Sequence, residues 1–130
     1  MVLKGVIDES NLLWTNIEVG GLSNSIELKA LIDTGFSGEL IIPIQTAIQL
    51  GLTLVGTGRA ELADGNIINQ LLFLGKLKWG TLDKTIAISV SESDDTLIGG
   101  GLLHGYLLIA DFSKGDLIIK EPGIDEPKVN

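Results

Sequence analysis

Between Lys4 and Lys120 the apolar residues come in short, partly alternating runs, each separated from the next by a polar or glycine-containing turn. That spacing has the period of two of a half-buried strand, and it leaves few stretches long enough for an ordinary helix. Residues 25–32 are the clearest case, with Ile26, Leu28, Ala30 and Ile32 alternating against Glu27 and Lys29. Glycine supplies 17 of the 130 residues and aromatic side chains only 5%. Leu, Ile and Val must therefore fill the core of an all-β fold whose strands are joined by tight turns.

Along the chain, the polar cluster Asp8-Glu9-Ser10-Asn11 divides two strands, and residues 20–24 make the next turn. Residues 39–42 form a further short β run, after which Pro43 opens a helix with Ile44, Ala47 and Ile48 on one face and Gly51 as the stop. Residues 54–74 predict a long hairpin with a two-residue turn at Asp64-Gly65, because Asp-Gly accepts the positive φ angles such a turn needs. Residues 77–79 and 85–90 add strands, and Leu102 with Leu103 anchors a second short helix after Gly99, Gly100 and Gly101. Residues 106–112 and 116–120 are β runs flanking Ser113-Lys114-Gly115, a three-residue loop with glycine in the left-handed position.

Nine Lys and Arg against 17 Asp and Glu give a net charge of -8, and Arg59 is the one arginine, so nucleic acid is not an expected partner. Cysteine is absent, which removes disulfides, thiolate nucleophiles and sulfur-rich zinc sites and suits a reducing compartment. No apolar run approaches the roughly 20 residues of a membrane span, and residues 1–5 lack the apolar core of a signal peptide. The expectation is a cytoplasmic protein without a membrane association. It has a single domain over residues 1–120 and an acidic, flexible tail over residues 121–130.

Asp33 is the residue that stands out. It ends the apolar stretch Ala30-Leu31-Ile32 and precedes another β run, which places a carboxylate on a turn between two buried strands. Burying an Asp without partners costs stability and favours its neutral form. Asp33-Thr34-Gly35 alone is also compatible with an ordinary Asx turn, so the flanks decide. Other chemistry is less well supported. His104 is the single histidine and sits beside Leu102, Leu103 and Gly105, which favours a packed or capping role and leaves no set of zinc ligands. Ser37 has no histidine near it in sequence, and a serine-hydrolase site would need His104 to reach it across the fold. The three glycines lack the lysine and spacing of a phosphate loop and are better explained by close backbone packing.

Residues 30–43, Ala-Leu-Ile-Asp-Thr-Gly-Phe-Ser-Gly-Glu-Leu-Ile-Ile-Pro, followed by Ala47 and Leu50-Gly51-Leu52, resemble the active-site segment of prokaryotic retropepsin-like aspartic proteases. Leu97-Ile98-Gly99 with Leu102-Leu103 is similar to that family's second signature, and residues 106–112 resemble its closing strands and those of the DNA-damage-inducible retropepsins. The likeness covers residues 25–120. Two positions depart from it: Gly100-Gly101 stands where relatives often have a bulkier residue and an acid, and Phe36 stands where many have a small residue.

The resemblance implies a small closed β-barrel with one or two short helices, acting as a homodimer, because this chain holds one Asp-Thr-Gly and the chemistry needs two facing carboxylates. It makes Asp33 the catalytic residue and places Thr34 and Gly35 in the active-site loop. Phe36, Ala63, Asp64 and Gly65 become the residues that meet an extended peptide or protein substrate, the last three at the tip of a mobile flap. Two carboxylates about 3 Å apart cannot both ionise easily, so such a pair holds one proton and activates a water without any metal or organic cofactor. The terminal β runs, Val2–Ile7 and Asp116–Lys120, are expected at the dimer interface. The rival readings are a dimeric peptide-binding or scaffolding module that keeps the fold without turnover, and a plain β-barrel subunit of a larger assembly.

Overall fold

The computed structural model describes residues 1–123, so most of the proposed tail, residues 124–130, lies outside the described residues. In chain order the elements are β1 (Val2–Ile7), β2 (Leu13–Gly20), β3 (Ser25–Ile32), β4 (Leu40–Pro43), α1 (Ile44–Leu50), β5 (Thr53–Glu61), β6 (Ile67–Trp79), β7 (Leu82–Ser91), β8 (Leu97–Ile98), α2 (Gly100–Leu103), β9 (Leu107–Asp111) and β10 (Asp116–Lys120). No helix among the described residues is long and apolar enough to cross a membrane.

Strands β2, β3, β8, β4, β7 and β6 lie side by side, and β6 returns to β2, closing a six-stranded barrel as the alternating pattern and the resemblance led one to expect. The closure is short: Glu18, Val19 and Gly20 pair with Lys78, Leu77 and Lys76. The first half of β6 instead pairs with β5, from Glu61↔Ile67 to Thr53↔Leu74, and carries a long hairpin away from the barrel. Inside, Ile17, Val19, Leu40, Ile42, Leu77, Ile88 and Ile98 pack around the fully buried Trp79. Trp79 donates its Nε1–H to Thr15 Oγ1 at 3.0 Å and meets Tyr106 edge-on at 6.1 Å, so its one polar atom is satisfied in the core.

Five expectations change. Residues 77–79 are the end of one 13-residue strand, because Gly75 is a site of close packing: a Cβ there would lie 2.7 Å from Ile88 Cδ1 and 3.0 Å from Leu52 Cδ2. Pro43 is the N-cap of α1 rather than its first residue, and the helix stops at Gly51 with φ +70°. Its buried face is Ala47 and Leu50, while Ile48 is 64% exposed, since a seven-residue helix lying on a barrel buries only positions three or four apart. The hairpin turn holds Ala63, Asp64 and Gly65, with Gly65 N–H donating to Leu62 O at 2.9 Å and Leu62 N–H to Asn66 O at 2.8 Å. Only Gly65 takes a positive φ, +86°, so this is a three-residue loop with a bulge instead of the two-residue form. The β9–β10 loop spans residues 112–115, one more than expected, because Asp111 pairs directly with Asp116.

The terminal strands pair with each other inside one chain, Val2↔Lys120 through Val6↔Asp116. β10 is enclosed between β1 and β9 along its whole length, and Leu117 and Ile119 are core residues. β9 borders only β10 among the described residues.

The first turn is tied down by Asp8. Its Oδ1 accepts from Ser10 N–H at 2.8 Å and Leu12 N–H at 2.9 Å, and its Oδ2 from Trp14 Nε1–H at 2.7 Å. The Leu12 amide first, then the Trp14 indole, hold this carboxyl below its ordinary value of 3.8. A depressed folded-state value stabilises the charged form, so the contribution is present above the ordinary value and lost as pH falls through the folded one. Acidification below 3.8 should therefore shift the Trp14 indole N–H resonance while that of Trp79, bound to a hydroxyl, stays in place until global unfolding; equal movement of both would refute the assignment.

Candidate active site

Asp33 is held by the pairing of two strands distant in sequence. β3 runs parallel to β8, with Leu31 opposite Leu97 and Ile32 opposite Ile98. Leu31 N–H donates to Thr96 O and Asp33 N–H to Ile98 O, both at 2.8 Å, so the ladder continues up to the acid itself. Ile32 is buried beneath it, and Asp33 is half-buried at the mouth of the barrel, with Thr34 and Gly35 exposed. Its Oδ1 accepts from Gly35 N–H at 3.0 Å and its carbonyl from Phe36 N–H at 3.1 Å. Those two bonds fold the segment into an Asx-type turn and engage only one of the two carboxylate oxygens.

The glycine run is what this turn rests on. Gly99 N–H donates to Glu39 O at 3.1 Å, Gly100 N–H to Phe36 O at 2.7 Å and Gly101 N–H to Gly38 O at 3.0 Å, so three consecutive amides hold three carbonyls of the loop after Asp33. A Cβ on Gly99 would collide with Gly38 O and lie 2.6 Å from Phe36 O, and one on Gly101 would lie 2.9 Å from Ser37 O. Both contacts are with backbone, which has no rotamer to move into. The close-packing reading of these glycines thus has a physical cause, and the two sequence signatures are two sides of one interface. Gly100 differs, since its Cβ would stand 3.7 Å from Phe36 O.

The residues expected to meet substrate divide. Phe36 is 1% exposed and packs with Ile41, Ile68 and Leu97 in a small cluster apart from the main core. Its ring fills the space left by Gly38 and Gly99; in the single chain it is a packing residue and offers no surface to a peptide. Ala63 does reach the site: a methyl group on Gly35 would lie 2.6 Å from Ala63 Cβ and 3.1 Å from its Cα. Asp64 and Gly65 form the exposed outer turn, where Asp64 accepts from Asn66 N–H and Nδ2–H, both at 2.9 Å. Sequence reasoning missed Ile68, which packs from the hairpin against the Phe36–Ile41 cluster, and Glu61, whose N–H points at Ser37 Oγ across 3.4 Å. Only the alternation along β6 hinted at Ile68.

His104 is exposed at the C-terminus of α2, and Ser37 Oγ has the Glu61 amide as its partner. Among the described residues no three of His, Asp and Glu converge on a point that would hold a metal ion. The cavity beside the Asp33 loop, lined by Gly38, Glu39, Gly58, Gln70, Leu72 and Ser89, is only about 170 Å³, below the roughly 300 Å³ at which ligand pockets begin. A larger one of about 440 Å³ lies between the β2–β3 turn and Lys76, Lys78 and Asp83, at the end of β3 opposite Asp33.

No protein-family model matches the chain, and no curated protein matches it. Among solved structures, the crystal structure of a retropepsin-like aspartic protease from Rickettsia conorii is similar, with a TM-score of 0.65 at 19% sequence identity, over 93% of this chain and 91% of that one. At that identity the likeness establishes a shared fold, the retropepsin-like barrel.

Proposed function

We propose that this chain is one subunit of a homodimeric aspartic endopeptidase whose two Asp33 carboxylates activate a water against the carbonyl of an extended peptide. The observation that carries the reading is the Asp33 turn, seated at the end of a buried strand on the amides of Gly99, Gly100 and Gly101, within a fold shared with a retropepsin-like aspartic protease. One carboxylate of the pair, charged, takes a proton from the water as it attacks. The other, protonated, polarises the carbonyl and then passes its proton towards the leaving amine. Bond making and breaking need no covalent intermediate, metal or cofactor. Thr34, exposed beside Asp33, is suited to contact its counterpart in the second subunit, and the hairpin supplies backbone groups to the peptide.

We place the partner at β9, which borders only β10 among the described residues, and removing residues 116–130 would strip Leu117 and Ile119 from the core rather than isolate a folded monomer. Ala63 seated over Gly35 favours a second reading, a dimer with this fold that does not turn over substrate. Incubating the protein with an unfolded polypeptide at mildly acid pH separates the two. Cleavage suppressed by a peptide carrying a central hydroxyl in place of the scissile amide supports the protease, and no cleavage at any pH from 3 to 8, roughly the range in which a carboxyl pair titrates, removes it. Specific activity should fall on dilution. Ile109→Lys, a charge on the edge strand, should lower dimer affinity and activity about tenfold or more with the melting temperature nearly unchanged; an active, undiminished dimer would move the interface elsewhere.

A further inference from the structure

The hairpin does not stand open above Asp33. Ala63 lies directly on Gly35, close enough that even a methyl group on the glycine has no place. An extended peptide needs about 4.7 Å on each side to pair with flanking strands, so this arrangement and a bound substrate exclude each other. What holds the hairpin down is local. The long Glu61 N–H to Ser37 Oγ contact of 3.4 Å is a weak hydrogen bond, whereas Ile68 packs against the buried Phe36–Ile41 cluster, in which Phe36 is fixed by its N–H to Asp33 O and by its carbonyl, which accepts from Gly100 N–H. At its base the hairpin is irregular: the β5–β6 register slips between Leu54 and Gly56, and Gly56 has φ +156° with nothing within 4 Å of where a Cβ would be. Beyond that bulge the two paired strands reach the Asp33 loop, and Ile68 is the hairpin side chain that packs against the Phe36–Ile41 cluster.

We infer that Ile68 and the buried Phe36–Ile41 cluster form a clasp that shuts the hairpin onto the Asp33 loop of its own subunit, making Ile68 a positioning residue that sets how much of the enzyme is open to a peptide. This rests on the protease reading for its kinetic consequence and on the geometry alone for its conformational one. A peptide binds only the lifted fraction, so its apparent affinity is the intrinsic one scaled by that fraction. Weakening the clasp raises the lifted fraction and leaves the chemistry at Asp33 untouched. Phe36 fills the place where the resembling family often has a small residue, so in such relatives this attachment would be weaker.

The test compares the full-length wild type with Ile68→Ala and Ile68→Leu, by amide hydrogen exchange and by kcat and KM on one cleaved peptide. The Glu61 amide is bonded to Ser37 only when the hairpin is down, while the Gly65 amide is bonded within the tip to Leu62 O and serves as the internal control. Ile68→Ala should speed exchange at Glu61 about fivefold or more without affecting Gly65, and lower KM by about three- to tenfold at unchanged kcat; Ile68→Leu should restore both. A purely structural role would instead speed exchange at both amides and lower kcat. Unchanged exchange at Glu61, or a KM that rises, overturns the clasp. Should the wild type cleave nothing, the protease reading fails and the exchange result alone decides the clasp.

Discussion

Replacing Asp33 by Asn should reduce the proposed peptide cleavage by at least about a hundredfold, in line with the loss of a positioned acid-base group, while the barrel and the proposed dimer persist. The structure explains why the two effects separate. Asn keeps an Oδ1 that can accept the Gly35 N–H, and the backbone bonds from Asp33 N–H to Ile98 O and from Phe36 N–H to Asp33 O do not involve the side chain. The turn therefore survives, and the melting temperature should move by no more than a few degrees. What is lost is an oxygen able to take a proton from water, which an amide does not do at mildly acid pH. Turnover of a sensitive peptide, thermal melting and sedimentation, measured on the same two preparations, check the three parts together. Activity retained above about a tenth of wild type would show that Asp33 is not the general base.

The largest effect on stability should come from Gly99→Ala. The added methyl meets Gly38 O and Phe36 O, both backbone atoms, and Phe36 Cδ2. Relief requires the Asp33 loop to withdraw from the glycine run, which strains or breaks the bonds from Gly99, Gly100 and Gly101 to Glu39, Phe36 and Gly38. Overpacking of this kind costs about 1–3 kcal/mol before any lost hydrogen bond is counted. At roughly 4 °C per kcal/mol for a domain of this size the melting temperature should fall by about 4–12 °C or more. Activity should fall with it, because the loop that moves carries Asp33. Gly100→Ala is the control: its Cβ has 3.7 Å to the nearest atom, Phe36 O, and alanine is the better helix former by up to about 1 kcal/mol, so it should be neutral or stabilising. A Gly99→Ala protein as stable as wild type would mean that the loop is not docked on these amides.

Much of this architecture was legible without coordinates, and for a common reason. Alternation in residues 25–32 is a property of neighbours along the chain, and β3 occupies that span. The stop at Gly51 and the left-handed glycines at positions 65 and 115 likewise follow from local φ preferences, and all three have positive φ. Asp33 could be singled out because a carboxylate at the end of an apolar strand conflicts with burial unless the fold has a use for it. In each case the information lies within a few residues of the feature.

The remainder depended on contacts between residues far apart in sequence. Ile48 and Leu50 are equally apolar, and only the position of the barrel decides that Leu50 is buried and Ile48 is not. Gly75 resembles a turn residue until Ile88 and Leu52 are seen to press against it. Phe36 looked like a substrate contact beside Asp33, but the space left by Gly38 and Gly99 and the approach of Ile68 make it a packing residue. The terminal runs, expected at the interface between subunits, also pair with each other within one chain. Local sterics and periodicity suffice for most of the strands, for the left-handed glycines of the turns and for the position of the acid at the end of β3. Only the tertiary structure decided what lies against Asp33, because a glycine run some 65 residues downstream and a hairpin tip some 30 residues downstream reach it through the closure of the barrel, which no local pattern encodes.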